Sequence, residues 1–182
     1  RVPHEPWREA CNIASRIAGR EHKDWMPTSE DGFVQSHQDI WDVPLEEGNW
    51  CIMARTNRIA STYANVLKED GWIYRRFGKP SIPTKMYEAI LDWERLCKGD
   101  ELFISELRNI YLFMDIEKEI TRGFGPKSQK MRLFDEETPI NMETAKKSFG
   151  LLANENMRWH QALGKIDDFN RTYILSALKR GD

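Results

Sequence analysis

Cysteine is scarce in this sequence and falls into no pattern: Cys11, Cys51 and Cys97 lie far apart, with no CxxC spacing. An odd number of thiols among mostly apolar neighbours argues against a disulfide framework or a zinc site and suits a reducing cytoplasm. The four histidines, His4, His22, His37 and His160, fall at no metal-ligand spacing, so no metal site is expected. No apolar run approaches the ~18–20 residues that a membrane-spanning helix needs. There is no excess of one charge either, the net value being −2. Residues 1–78 carry 10 basic and 12 acidic side chains, and residues 79–182 carry 17 of each. Any nucleic-acid role must therefore rest on local patches. Internal repeats and low-complexity tracts are absent. So is a GxxxxGK[ST] phosphate loop, and no acidic pair follows a strand in a way that would hold Mg²⁺.

What is present suits a folded chain. The sequence has 182 residues, 40% of them apolar, with seven tryptophans, enough for one large domain or two small ones. It opens on Arg1-Val2-Pro3 with neither Met nor an apolar signal core, and so reads as a piece excised from something longer. Trp7, Ala10, Cys11, Ala14, Ile17 and Ala18 recur at helical spacing and predict a helix over 5–20. Gly32–His37 reads as a short strand. The run Trp50-Cys51-Ile52-Met53-Ala54 reads as a buried central strand, because a short, wholly apolar segment needs cover on both faces. Ile59, Tyr63, Val66 and Leu67 mark the next helix, ended at Asp70-Gly71, and residues 72–77 give a third strand closed by Gly78. The order helix, strand, strand, helix, strand fits half of an α/β domain with a small parallel sheet.

After Lys79-Pro80-Ser81-Ile82-Pro83 the strand signals largely vanish. Met86, Ile90, Trp93 and Cys97 form one stripe of a helix over 84–98, and Leu107, Ile110, Tyr111 and Met114 mark another. Short helical turns are expected over 116–133, short helices over 141–152 and 156–163, and a last helix from Ile166 to just before Gly181. The expected organisation is an α/β part over 1–79 and an all-helical part over 80–182. Trp93, Tyr111, Trp159, Phe169 and Tyr173 are expected in its core, and His160 is expected to be structural.

The junction Ala54-Arg55-Thr56-Asn57 places a cation, a hydroxyl and an amide at the carboxyl end of a strand, where open α/β sheets bind ligands. The bland reading is a capped strand-to-helix junction with Asn57 as N-cap. The functional one is a phosphate or nucleic-acid contact. A second candidate is the run from Arg122 to Arg132. There Arg122, Lys127, Lys130 and Arg132 surround Gly123-Phe124-Gly125-Pro126 with no acid among them. A glycine-rich turn opening a helix presents backbone N–H groups to a phosphate, although such a run also serves as a plain solvated loop. Arg75 and Arg76 alternate faces on a strand, so at most one of them meets a ligand, and surface placement is expected for both.

The order of these features resembles the second motor domain of UvrD/Rep-type superfamily 1 DNA helicases. Arg1-Val2-Pro3 followed by a helix resembles the end of that family's Tyr-Arg motif, whose Arg reaches the ATP γ-phosphate. Ala54-Arg55-Thr56-Asn57 is similar to its Tyr-Arg-Thr-Asn motif, whose Arg and Asn contact single-stranded DNA. Val66-Leu67, Gly71 and Tyr74-Arg75-Arg76-Phe77-Gly78 follow its next conserved stretch, after which the family's chain enters a helical insertion. Two departures stand out: Ala54 replaces the usual Tyr, and Arg58-Ile59-Ala60 replaces Ala-Gln-Ser-Arg. Gly123-Phe124-Gly125-Pro126-Lys127 also resembles the hairpin of helix-hairpin-helix modules, with Gln129 and Arg132 departing from that pattern.

The resemblance implies a partial motor domain (2A) over 1–79, an incomplete RecA-like lobe, and a 2B-like helical insertion over 80–182. It implies ATP and Mg²⁺ as cofactors of an intact ATP-hydrolysing helicase, and none for this piece, which alone is inactive. Arg1 is the implied γ-phosphate contact; Arg55, Thr56, Asn57, Arg122, Lys127 and Lys130 are the implied DNA contacts. The implied partners are single-stranded and duplex DNA and the remaining motor domains, with no membrane. An open sheet edge leads to an expectation of self-association. The alternative is a non-catalytic module that binds nucleic acid or protein.

Overall fold

Pro3, extended at ψ 161°, leads into helix α1, His4–Ser15, which opens the chain in a computed structural model describing residues 2–21, 24 and 26–181. The chain divides into two compact units, Arg1–Met53 and Ala54–Asp182.

In the first unit, Glu5 in the first turn of α1 suits the positive end of the helix dipole, and Arg8 pairs with it. The chain returns alongside the helix start. Thr28 N donates to Val2 O at 2.8 Å, and His4 N and Glu5 N donate to Glu30 O and Asp31 O, also at 2.8 Å. A single turn of 3-10 helix, Ile40–Asp42, is closed by reciprocal bonds between Asp39 and Asp42. The Trp50 indole N–H bonds back to Glu47 O at 2.7 Å.

No described residue of this unit is buried, and three expectations fall with that. The predicted helix to Arg20 stops at Ser15, because Ile17, more than half exposed, meets no apolar surface that would hold another turn. The predicted strands over 32–37 and 50–54 are not formed among the described residues, where neither segment pairs with another. An apolar run becomes a central strand only where neighbours supply both hydrogen-bonded edges and cover for both faces. Here Met53 is 88% exposed.

The second unit is built on helices. Helix α2, Asn57–Glu69, turns Ala64 and Leu67 inward. Arg75–Arg76 (β1) pairs antiparallel with Lys79–Pro80 (β2) across Phe77-Gly78, whose φ values of 49° and 76° make a tight two-residue turn. Helices α3 (Thr84–Lys98) and α4 (Ile104–Leu112) pack together and carry the core, with Trp93, Leu107, Ile110 and Tyr111 fully enclosed. The Trp93 indole donates to Met157 O at 2.9 Å, and the Tyr111 hydroxyl donates to Phe149 O at 3.0 Å. Burial pushes the Tyr111 hydroxyl pKa far up. Leu102–Phe103 (β3) pairs antiparallel with Pro139–Ile140 (β4). Short helices α5 (Gln129–Arg132), α6 (Met142–Phe149) and α7 (Trp159–Ala162) precede α8 (Asp168–Gly181).

The fold is thus mixed helix and sheet, but among the described residues the sheets are two antiparallel pairs and the expected parallel sheet is not formed. Parallel pairing needs a crossover of a dozen or more residues, whereas β1 and β2 are joined by two. The part after residue 80 is also not purely helical, since it holds β3 and β4.

Within the second unit, α2 and its exit are fastened to α8. A Cβ on Gly71 (φ +79°) would lie 2.7–2.9 Å from the backbone of Ser176 and Ala177. The Tyr173 hydroxyl donates to Trp72 O at 2.8 Å and shares a 2.6 Å hydrogen bond with Ser81 Oγ. Arg180 lies over the Trp72 ring and bonds Asp70.

Candidate nucleic-acid interface

The start of α2 is shaped by Thr56. Extended at φ −133°, it accepts the Ile59 N–H on its hydroxyl at 3.3 Å. Thr56 is therefore the cap, and Asn57, expected in that role, is the first helical residue. Its amide is left exposed, as are the side chains of Arg55 and Arg58. Among the described residues neither Arg55 nor Arg58 engages an acceptor, and no acid stands in the first turn of α2. Two unpaired guanidiniums beside the positive end of a helix dipole form an anion-attracting corner.

Arg76 completes this corner from β1. Its Nη1 donates to Ser61 Oγ at 3.1 Å, its Nη2 donates to Asn57 O at 3.3 Å, and its plane lies over the Phe77 ring at 5.4 Å. Ser61 Oγ itself donates to Asn57 O at 2.8 Å. Arg75 is exposed and Arg76 is half-buried, so the alternation expected of the pair holds but surface placement of Arg76 does not. Sequence reasoning passed over Arg76, and alternation on a strand was the signal that one of the two faces inward. Nearby, burial raises the Tyr74 pKa, partly offset by the Arg76 charge.

The second candidate set spans the loop between α4 and α5, which carries Arg122 and Lys127, and α5 itself, which carries Lys130 and Arg132. Phe124 packs against the core and Met131 is enclosed, so the loop is anchored at both ends. The Ser128 hydroxyl accepts Met131 N at 3.3 Å, and Arg108 bonds Met131 O. Arg122, Lys127, Lys130 and Arg132 are exposed. The Lys130 ammonium lies over the Phe124 ring at 4.4 Å, which ties one cation to the anchor. Among the described residues no hydrogen bond, ion pair or ring contact joins this set to Arg55, Thr56 or Asn57.

Arg1 lies outside the described residues. Phe169, expected in the core, is 52% exposed beneath the Lys68 ammonium; the other four expected core aromatics are buried. His160 sits edge-on to Trp159 at 5.6 Å. Among the described residues no three His, Cys, Asp or Glu side chains gather to hold a metal ion. Among the described residues, no helix is long and apolar enough to cross a membrane. No family model matches the chain, and no curated protein or solved structure does so either.

Proposed function

We propose that this chain works within an ATP-dependent UvrD/Rep-type DNA helicase or translocase, where Arg55, Thr56 and Asn57 contact single-stranded DNA. Residues 1–79 would belong to its second motor domain, and 80–182 to a helical insertion that offers Arg122, Lys127 and Lys130 to the duplex. The observation that carries this reading is the exposed Arg55-Thr56-Asn57 turn, with unpaired guanidiniums at the N-terminal end of α2 and a matching motif order along the sequence. ATP and Mg²⁺ act in the intact enzyme, with Arg1 at the γ-phosphate. A second reading, a non-catalytic interaction module, draws support from the exposed apolar side chains of the first unit, Phe33, Val34 and Met53 among them.

The single-stranded DNA contact is tested by binding. Fluorescein-labelled oligo(dT) titrated against this chain over a range of salt should bind, and Arg55→Ala should weaken it while lowering the log–log salt slope by about 0.7, one phosphate contact on a single strand. Wild-type affinity and slope in Arg55→Ala, accompanied by lost thermal stability, would make Arg55 structural and overturn the assignment. ATP added to the same protein should give neither heat nor turnover. Micromolar ATP affinity would contradict a motor whose phosphate loop lies elsewhere in the parent protein.

A further inference from the structure

Arg76 is placed against the run of the local electrostatics. A guanidinium that donates to the first turn of a helix meets the positive end of the dipole, an arrangement that costs free energy near a helix N-terminus. No acid in the first turn of α2 relieves it, and Arg55 and Arg58 add to the same field. Yet Arg76 is well held. One terminal nitrogen bonds Ser61 Oγ, the other bonds Asn57 O, and one face lies over Phe77. Its Nε is closed off from solvent with no hydrogen-bond partner in the structure. The group is therefore turned inward onto the helix and away from an incoming strand.

We infer that Arg76 is a positioning residue for the proposed DNA contact: it fixes the Asn57 carbonyl, and with it the first turn of α2 that sets the directions of Arg55 and Asn57. This rests on the reading of Arg55 and Asn57 as single-stranded DNA contacts. The hairpin thereby serves as a brace. The two-residue turn at Phe77-Gly78 brings the planar fork of Arg76 onto two acceptors, Ser61 Oγ and Asn57 O, that lie 2.8 Å apart. A lysine does not reproduce that, because its point-charge ammonium lacks the rigid, parallel pair of donors that matches them.

The test is oligo(dT) binding to the full chain by fluorescence anisotropy across salt, well below the melting temperature, for wild type, Arg55→Ala, Arg76→Ala and Arg76→Lys. Arg76→Ala should lose roughly fivefold to tenfold in affinity, the worth of one ordinary hydrogen bond, with the salt slope unchanged. Arg76→Lys should fail to restore the affinity although it keeps the charge. Arg55→Ala, by contrast, should lower affinity and slope together. Loss of thermal stability without loss of affinity in Arg76→Ala, while Arg55→Ala still weakens binding, would overturn the brace and leave the DNA reading standing. A lower slope in Arg76→Ala that Arg76→Lys restores would make Arg76 a direct phosphate ligand and overturn it equally. Absence of binding by the wild type would remove the DNA reading, and the brace with it. Should Arg76→Ala fail to fold, Arg76→Lys and Arg76→Gln carry the same readout.

Discussion

In Ala54–Asp182 the side chains of Trp93, Ile110 and Tyr111 are fully enclosed, whereas in Arg1–Met53 no described residue is buried and Phe33 and Met53 stand mostly in solvent. Both stretches carry apolar residues at regular spacing. They differ in whether a facing element closes over the stripe: α3 and α4 cover each other, while α1 buries none of its residues. An amphipathic pattern states what a segment must hide, and stability follows only where something hides it. The candidate contacts Arg55, Thr56 and Asn57 lie at the start of α2, a helix that Gly71, Trp72 and Asp70 fasten to α8. Precise placement of a ligand-facing turn needs that rigidity.

The largest test of this contrast is a pair of tryptophans. Trp93→Ala should cost about 3–5 kcal/mol, read as a shift of the urea midpoint, because a fully enclosed indole leaves a cavity. Trp41→Ala, at a half-exposed site in the first unit, should cost no more than about 0.5 kcal/mol. Comparable losses would mean that the first unit has a core of its own. Two glycines then ask whether α2 belongs to the packed unit. Gly71 and Gly78 have nearly equal φ, +79° and +76°, but a Cβ meets backbone at the first and open space at the second. Gly78→Ala should cost about 1–2 kcal/mol for the left-handed conformation alone. Gly71→Ala should cost clearly more, and equal losses would detach α2 from α8.

The smallest effect is chemical. Cys11 and Cys51 are exposed, while Cys97 lies half-buried against the core. Burial, with Glu94 and Glu155 adding to it, pushes the Cys97 thiol up to about 11. Its thiolate, the alkylating form, is scarce until pH approaches that value. At pH 8 iodoacetamide should label Cys11 and Cys51 well before Cys97, a difference that narrows as pH rises towards 11. Equal labelling at pH 8 would open the packed unit.

Much of the second unit was legible in the sequence, because local periodicity and tertiary packing agree there. Met86, Ile90 and Trp93 marked α3 over the residues it occupies, and all three are buried. The run over 50–54 was misread because apolarity does not say which strand, if any, lies alongside. The hairpin was missed because Phe77-Gly78 carries none of the Asn-Gly signal that marks such turns, and residues 72–77 read as one strand closed by Gly78. Half of the candidate site was legible: Arg55 and Asn57 stand out by type and place. Arg76 was not, because its partners, Asn57 O and Ser61 Oγ, lie 19 and 15 residues away and are brought to it only by the fold.

Hydrogen exchange of the full chain, with and without oligo(dT), joins the structural contrast to the proposed contact in one measurement. The account predicts slow exchange in α3 and α4, fast exchange over 26–53, and oligo(dT) protection of amides over 55–61. Exchange over 26–53 as slow as that of α3, or oligo(dT) leaving 55–61 unchanged, would contradict it.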